Sequence, residues 1–102
     1  MKIEQVKEPI EFEWDEGNSE KNWNKHGVTQ QEAEQAFLDK HKFITNDIAH
    51  TTGEEKRFIL LGKTEEGRLL YIVYTVREMR IRVISARDMT KRKEVELYEE
   101  AA

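Results

Sequence analysis

Three apolar stretches in the C-terminal half, Lys56 to Thr64, Leu69 to Arg77 and Arg80 to Asp88, are separated only by Glu65-Glu66-Gly67-Arg68 and Glu78-Met79. Gaps that short join antiparallel neighbours and cannot hold a crossover helix, so an antiparallel meander is predicted. Within it, Phe58-Ile59-Leu60-Leu61 and Leu69-Leu70-Tyr71-Ile72-Val73 are apolar at consecutive positions. Successive side chains of a strand point to opposite faces, so both faces must be covered at the centre of this sheet. Helices can take one face. The other calls for the C-terminal helix, self-association or a partner chain.

The rest of the chain supplies those helices. Ile10-Glu11-Phe12-Glu13-Trp14 alternates apolar and acidic residues and reads as a short strand. A first helix is predicted over residues 16–26, with acids at its start, Lys21 and Lys25 near its end and Gly27 as a left-handed stop. Thr29-Gln30-Gln31-Glu32 is a capping box, with Val28 and Ala33 placed as a hydrophobic staple. It opens a second helix with Ala33, Ala36 and Phe37 on one face. His41 to Asp47 reads as a strand and Ala49 to Gly53 as a loop. A last helix is predicted over residues 90–100, capped by Thr90 or Asp88. The expected architecture is α+β: about four antiparallel strands, two N-terminal helices and one C-terminal helix, in one domain over residues 1–102.

Size and composition fit that reading. At 102 residues one core is expected, and a chain without cysteine has no disulfide framework and no thiolate metal site. The longest apolar run, Leu69 to Val76, is too short to span a bilayer, and Met1 to Glu8 lacks the apolar core of a secretory signal. A cytoplasmic protein that does not enter a membrane is expected. Net charge is −4, yet residues 1–55 carry 6 Lys/Arg against 13 Asp/Glu, while residues 56–93 carry 11 against 4. Either the surface is dipolar, able to steer an anionic partner to one side, or the charges intersperse in space.

Three groups of residues offer chemistry. Lys25-His26-Gly27 places an imidazole and an ammonium at a helix C-terminus, where histidine serves as a general acid or base or simply as part of a basic cap. Arg57, Arg68, Arg77, Arg80, Arg82 and Arg87 lie in or beside strands, and guanidinium forks match phosphate oxygens in pairs. Strict alternation puts Arg80 and Arg82 on one face of the last strand and Arg87 on the other, unless a bulge at Val83-Ile84 shifts the register. The alternative for these arginines is structural pairing with carboxylates. Lys91-Arg92-Lys93 opens a helix that ends in Glu99-Glu100, against the preference of the helix dipole. A phosphate chain crossing that N-terminus would favour it, although a plain basic cluster is the other reading. His26, His41 and His50 lack metal-ligand spacing, and no phosphate-binding loop or nucleophile elbow occurs. Tyr71, Tyr74, Trp14 and Trp23 are the residue types of a core, with Tyr74 beside Thr75 placed to point a hydroxyl into a site.

Taken in order, Phe12-Glu13-Trp14-Asp15, Asn18, Asn22, Lys25-His26-Gly27-Val28, Glu32-Ala33, Phe37, Glu54-Glu55-x-Arg57-Phe58, Arg80-x-Arg82-Val83-Ile84-Ser85-Ala86-Arg87, and Arg92 and Tyr98 with a glutamate between them resemble the BrnT family. The resemblance runs from residue 10 to 100 and departs mainly at Asp88-Met89, where relatives usually carry small or basic residues, and in the acidic N-terminal half. It implies a toxin of a type II toxin–antitoxin pair, similar in fold to RelE-type ribonucleases, cleaving RNA without metal or other cofactor and neutralised by a BrnA-like antitoxin. A homodimer is the alternative assembly for the chain alone. A metal-free ribonuclease needs a base for the ribose 2′-hydroxyl, cations for the phosphorane and an acid for the leaving 5′-oxygen. The expected roles are Lys25 or His26 as base or acid, and Arg57 and Arg87 as the phosphate clamp. Tyr74, Thr75, Arg80, Arg82, Lys91 and Arg92 are expected in RNA binding. A non-catalytic module using the basic region only as a binding surface is the competing function.

Overall fold

The computed structural model describes residues 11–18, 25–47 and 55–101. Its centre is the meander. Strands β1 (Phe43–Asn46), β2 (Phe58–Lys63), β3 (Leu69–Arg77) and β4 (Arg80–Asp88) form one antiparallel sheet in the order β1-β2-β3-β4. With the helices α1 (Gln30–Leu38) and α2 (Arg92–Ala101), this is the expected α+β arrangement. Helical backbone also occurs at residues 16–18 and 25–26, the two ends of the predicted first helix, whose middle lies outside the described residues. The predicted loop from Ala49 to Gly53 falls outside them as well.

The sheet is held by its turns. Gly67 takes φ +92° in the β2–β3 connection, where Thr64 N–H donates to the Arg68 carbonyl at 2.9 Å. The β3–β4 connection has only Glu78 and Met79, at φ 50° and 66°. Positive φ at both central residues matches the right-handed strand twist, and here it is accepted without glycine.

One face of the sheet carries α1. The helix starts at its capping box, in which Thr29 Oγ1 accepts from Glu32 N–H at 3.1 Å and Glu32 Oε1 accepts from Thr29 N–H at 3.0 Å. Its buried residues are the predicted Ala33, Ala36 and Phe37. They pack with Val28 on Phe58, Leu60, Leu70, Ile72, Tyr74, Ile81, Val83 and Ala86. Phe37 meets Tyr74 edge-on at 4.9 Å between ring centroids and Phe12 at 5.2 Å, the favoured geometry for aromatic pairs.

The opposite face carries α2, which packs against β1 and β2. Lys63 lies 5.9 Å over the Tyr98 ring, and Tyr98 donates its hydroxyl to Asp39 at 2.6 Å. Leu60 and Leu61 point to different faces and are 0% and 2% exposed. Of the covers the sequence left open for this face, the C-terminal helix is thus present, while Ile59, Tyr71 and Val73 on it stay half-buried.

Two further findings concern the fourth strand. The expected N-terminal strand is reduced to a parallel bridge, Phe12 to Ile81, along the free edge of β4. Glu13 N–H donates to the Ile81 carbonyl at 2.8 Å and Ile81 N–H to the Glu11 carbonyl at 2.9 Å. In β4 itself the register jumps: Tyr74 pairs with Val83, but Val73 pairs with Ser85. Ile84 is the extra residue of a bulge, at the Val83-Ile84 position where the sequence left one open, so strict alternation gives way there. Arg80, Arg82 and Arg87 share the face opposite α1.

Candidate active site at the end of the fourth strand

The C-terminal end of β4 is where the separate basic motifs meet. Gly27, at φ +62°, ends the helical turn of Lys25 and His26. The carbonyls of His26 and Gly27, which a helix end leaves without intrahelical donors, accept from Arg68 at 3.1 and 3.0 Å. Arg68 also grips Asp88 through Nε at 2.6 Å and Nη2 at 3.1 Å. This guanidinium holds the Asp88 carboxyl below the usual carboxylate range, with a smaller contribution from the charge of His26.

From Asp88 the connection continues to the other side of the strand. The Asp88 carbonyl accepts from Arg87 Nη1 at 2.9 Å. Arg87 lies 3.9 Å over the ring of Tyr71 and binds Glu94 through both terminal nitrogens, at 3.1 and 2.8 Å. Glu94 in turn accepts from the Thr90 and Lys91 amides at 3.1 and 3.4 Å. Arg87 is the main reason the Glu94 carboxyl is depressed below its ordinary range, and the two amides add to the effect. Glu94 thus takes the place at the start of α2 where a crossing phosphate was expected. Lys91 and Arg92 stand exposed around it, Arg92 at 92% of its side chain.

One chain of hydrogen bonds therefore runs from the backbone of His26 through Arg68, Asp88, Arg87 and Glu94 to the amide of Lys91. It links the backbone of the Lys25-His26 turn to a stacked guanidinium and a helix N-terminus, groups suited to an anion and to proton transfer beside it. Residues 14–93 match the family model described as "Ribonuclease toxin, BrnT, of type II toxin-antitoxin system". The chain belongs to the BrnT family. Comparison with curated proteins finds no match.

Five of the residues expected to serve the BrnT site lie along this chain of hydrogen bonds: Lys25 and His26 through the backbone of their turn, with Arg87, Lys91 and Arg92. Arg57 does not. It precedes β2 at the opposite end of the sheet, 4.0 Å from Glu55. Thr75 and Arg82 pair across β3 and β4 at that same end. A separation of four residues along a strand puts this row about 13 Å from Arg87. Thr75 is 1% exposed and donates to the Lys56 carbonyl at 2.8 Å. Tyr74 is 0% exposed, inside the aromatic core and not at the surface where RNA would be met. Arg80 pairs with Glu11 at 3.3 Å, and Arg82 with Glu13 at 3.1 Å and Asp15 at 2.9 Å.

These pairs decide the question left by the charge pattern. Acids of the N-terminal segment lie along β4 and neutralise its arginines, so the charges intersperse and a dipolar surface is not formed there. Sequence reasoning missed Arg68, Tyr71, Asp88 and Glu94 as parts of the corner. Two signals pointed toward them: the departure at Asp88 and the glutamate between Arg92 and Tyr98. Among the described residues, no three His, Asp or Glu side chains converge as a metal site, and no helix is long and apolar enough to cross a membrane.

Proposed function

We propose that this BrnT chain is a RelE-like endoribonuclease that acts in the cytoplasm, cleaves RNA without a metal ion and is neutralised by a BrnA-like antitoxin. The observation that carries the reading is the hydrogen-bonded continuity from Lys25-His26 to Arg87 and the start of α2. In this mechanism Lys25 or His26 removes the proton of a ribose 2′-hydroxyl, whose oxygen attacks the adjacent phosphorus. Arg87 neutralises the developing phosphorane, and the other of Lys25 and His26 protonates the departing 5′-oxygen. The products are a 2′,3′-cyclic phosphate and a 5′-hydroxyl. Lys91 and Arg92 hold the neighbouring backbone, as positioning contacts that read no bases.

The test is incubation of purified protein with RNA in excess chelator. Cleavage with cyclic-phosphate ends is expected, whereas activity that appears only on adding magnesium or manganese overturns the mechanism. RNA that is bound in a salt-sensitive way but stays intact identifies a binding module instead.

A further inference from the structure

Arg68 was not among the residues expected at the site, yet it joins the Lys25-His26 turn to the end of β4. A guanidinium has five N–H donors. The structure gives Arg68 five acceptor contacts: Asp88 Oδ1 at 2.6 Å and Oδ2 at 3.1 Å, the His26 carbonyl at 3.1 Å, the Gly27 carbonyl at 3.0 Å and Glu32 Oε2 at 3.0 Å. No donor is left for a phosphate. The contacts reach three separate stretches: the turn that bears Lys25 and His26, the capping glutamate of α1 and the last residue of β4. Arg87, the proposed phosphate clamp, immediately precedes that last residue.

We infer that Arg68 is a positioning residue for the ribonuclease reaction, fixing the distance between the proton-transferring turn of Lys25-His26 and the phosphate clamp Arg87. The inference rests on the function proposed above. A fork is required because the acceptors lie around a plane, on both sides of the side chain. Lysine keeps the positive charge but has three donors on one nitrogen and cannot bridge the carbonyls, Glu32 and Asp88 together. Without the bridge the turn loses its anchor to β4. A misplacement of about 1 Å between reacting groups is enough to cost on the order of 10²-fold in rate.

The experiment compares the parent chain with Arg68→Lys, Lys25→Ala, His26→Ala and the core variant Ile81→Val at the other end of β4. All are assayed on one RNA substrate at a temperature where circular dichroism shows each fully folded. Arg68→Lys is expected to lower kcat by on the order of 10²-fold while KM stays within about threefold, since Arg68 itself touches no RNA. Ile81→Val, which weakens packing without reaching the corner, should keep the parent kcat. A parent-like kcat in Arg68→Lys, with Lys25→Ala or His26→Ala inactive, overturns the inference. The second measurement does not depend on activity. Backbone ¹⁵N relaxation at residues 25–28 should fall from a rigid order parameter near about 0.85 to below about 0.6 in Arg68→Lys, with β3 unchanged. Order parameters that stay rigid overturn the positioning role. Full activity in both Lys25→Ala and His26→Ala instead overturns the proposed site, and relaxation alone then judges Arg68.

Discussion

The Arg87–Glu94 pair shows how one residue serves both stability and the proposed chemistry. Arg87 stacks on Tyr71 and faces a carboxylate that is 8% exposed, so removing the guanidinium leaves a buried anion with two amides for company. Arg87→Ala is expected to reduce RNA cleavage by about 10²–10³-fold, the scale found when a single stabilising donor is lost. Single-turnover assays on protein shown by circular dichroism to be folded check this, and cleavage within tenfold of the parent removes Arg87 from the mechanism. Glu94 also sets a pH dependence. Its folded-state pKa lies below the unfolded value of about 4.3, so the pair stabilises the fold fully above roughly pH 5. That contribution is lost as pH falls through the folded value. Glu94→Gln is expected to cost about 1–2 kcal/mol at pH 7, and its stability should decline less steeply than the parent's below about pH 5. Urea unfolding as a function of pH makes the comparison, and parallel curves would mean that Glu94 carries no linked proton.

Among the elements, the contact of α1 with β2 leaves no room for a further carbon at Gly62. A Cβ on Gly62 would lie 2.6 Å from the Ala36 carbonyl oxygen and 3.0 Å from the Ala36 Cβ, and helix backbone cannot swing aside as a side chain would. Gly62→Ala is therefore expected to lift α1 from the sheet at a cost of about 1–3 kcal/mol. That corresponds to a drop in Tm of roughly 4–8 °C per kcal/mol, read by thermal denaturation. An unchanged Tm would show that the helix re-seats without strain. The bulge at Ile84 acts at the same scale for the site. Arg82 and Arg87 are an odd number of residues apart, and only the extra residue lets them share a face.

Across the molecule, the segregated charges of the sequence become neighbouring pairs. Arg68, Arg77, Arg80, Arg82 and Arg87 each meet at least one carboxylate, and Lys25, Arg87, Lys91 and Arg92 are the cations proposed to meet RNA. Four phosphate contacts predict a modest salt dependence for single-stranded RNA, a slope of log K against log salt near about −3. A filter-binding titration from low to physiological salt measures it. A slope steeper than about −6 would mean that the paired arginines abandon their carboxylates for RNA. Of the large apolar side chains among the described residues, only Leu38 and Met79 are strongly exposed.

The meander, the capping box of α1 and the buried trio Ala33, Ala36 and Phe37 were legible in the residues because each is a local matter. Hairpin spacing, strand alternation and helix periodicity act over a few positions, and nothing distant overrode them. The Lys25-His26 turn and the basic start of α2 were legible as motifs for the same reason. Their assembly was not. Whether Arg87 faced Arg82 depended on a bulge at Val83-Ile84, which the sequence left open and only the strand pairing decided. The separation of Arg57 from Arg87 followed from opposite strand directions. The burial of Tyr74 followed from its pairing beneath Phe37, and the neutralisation of Arg82 from a segment 69 residues away in sequence. Each of these is a contact between distant parts of the chain, and such contacts are settled only when the sheet is folded and α1 has closed upon it.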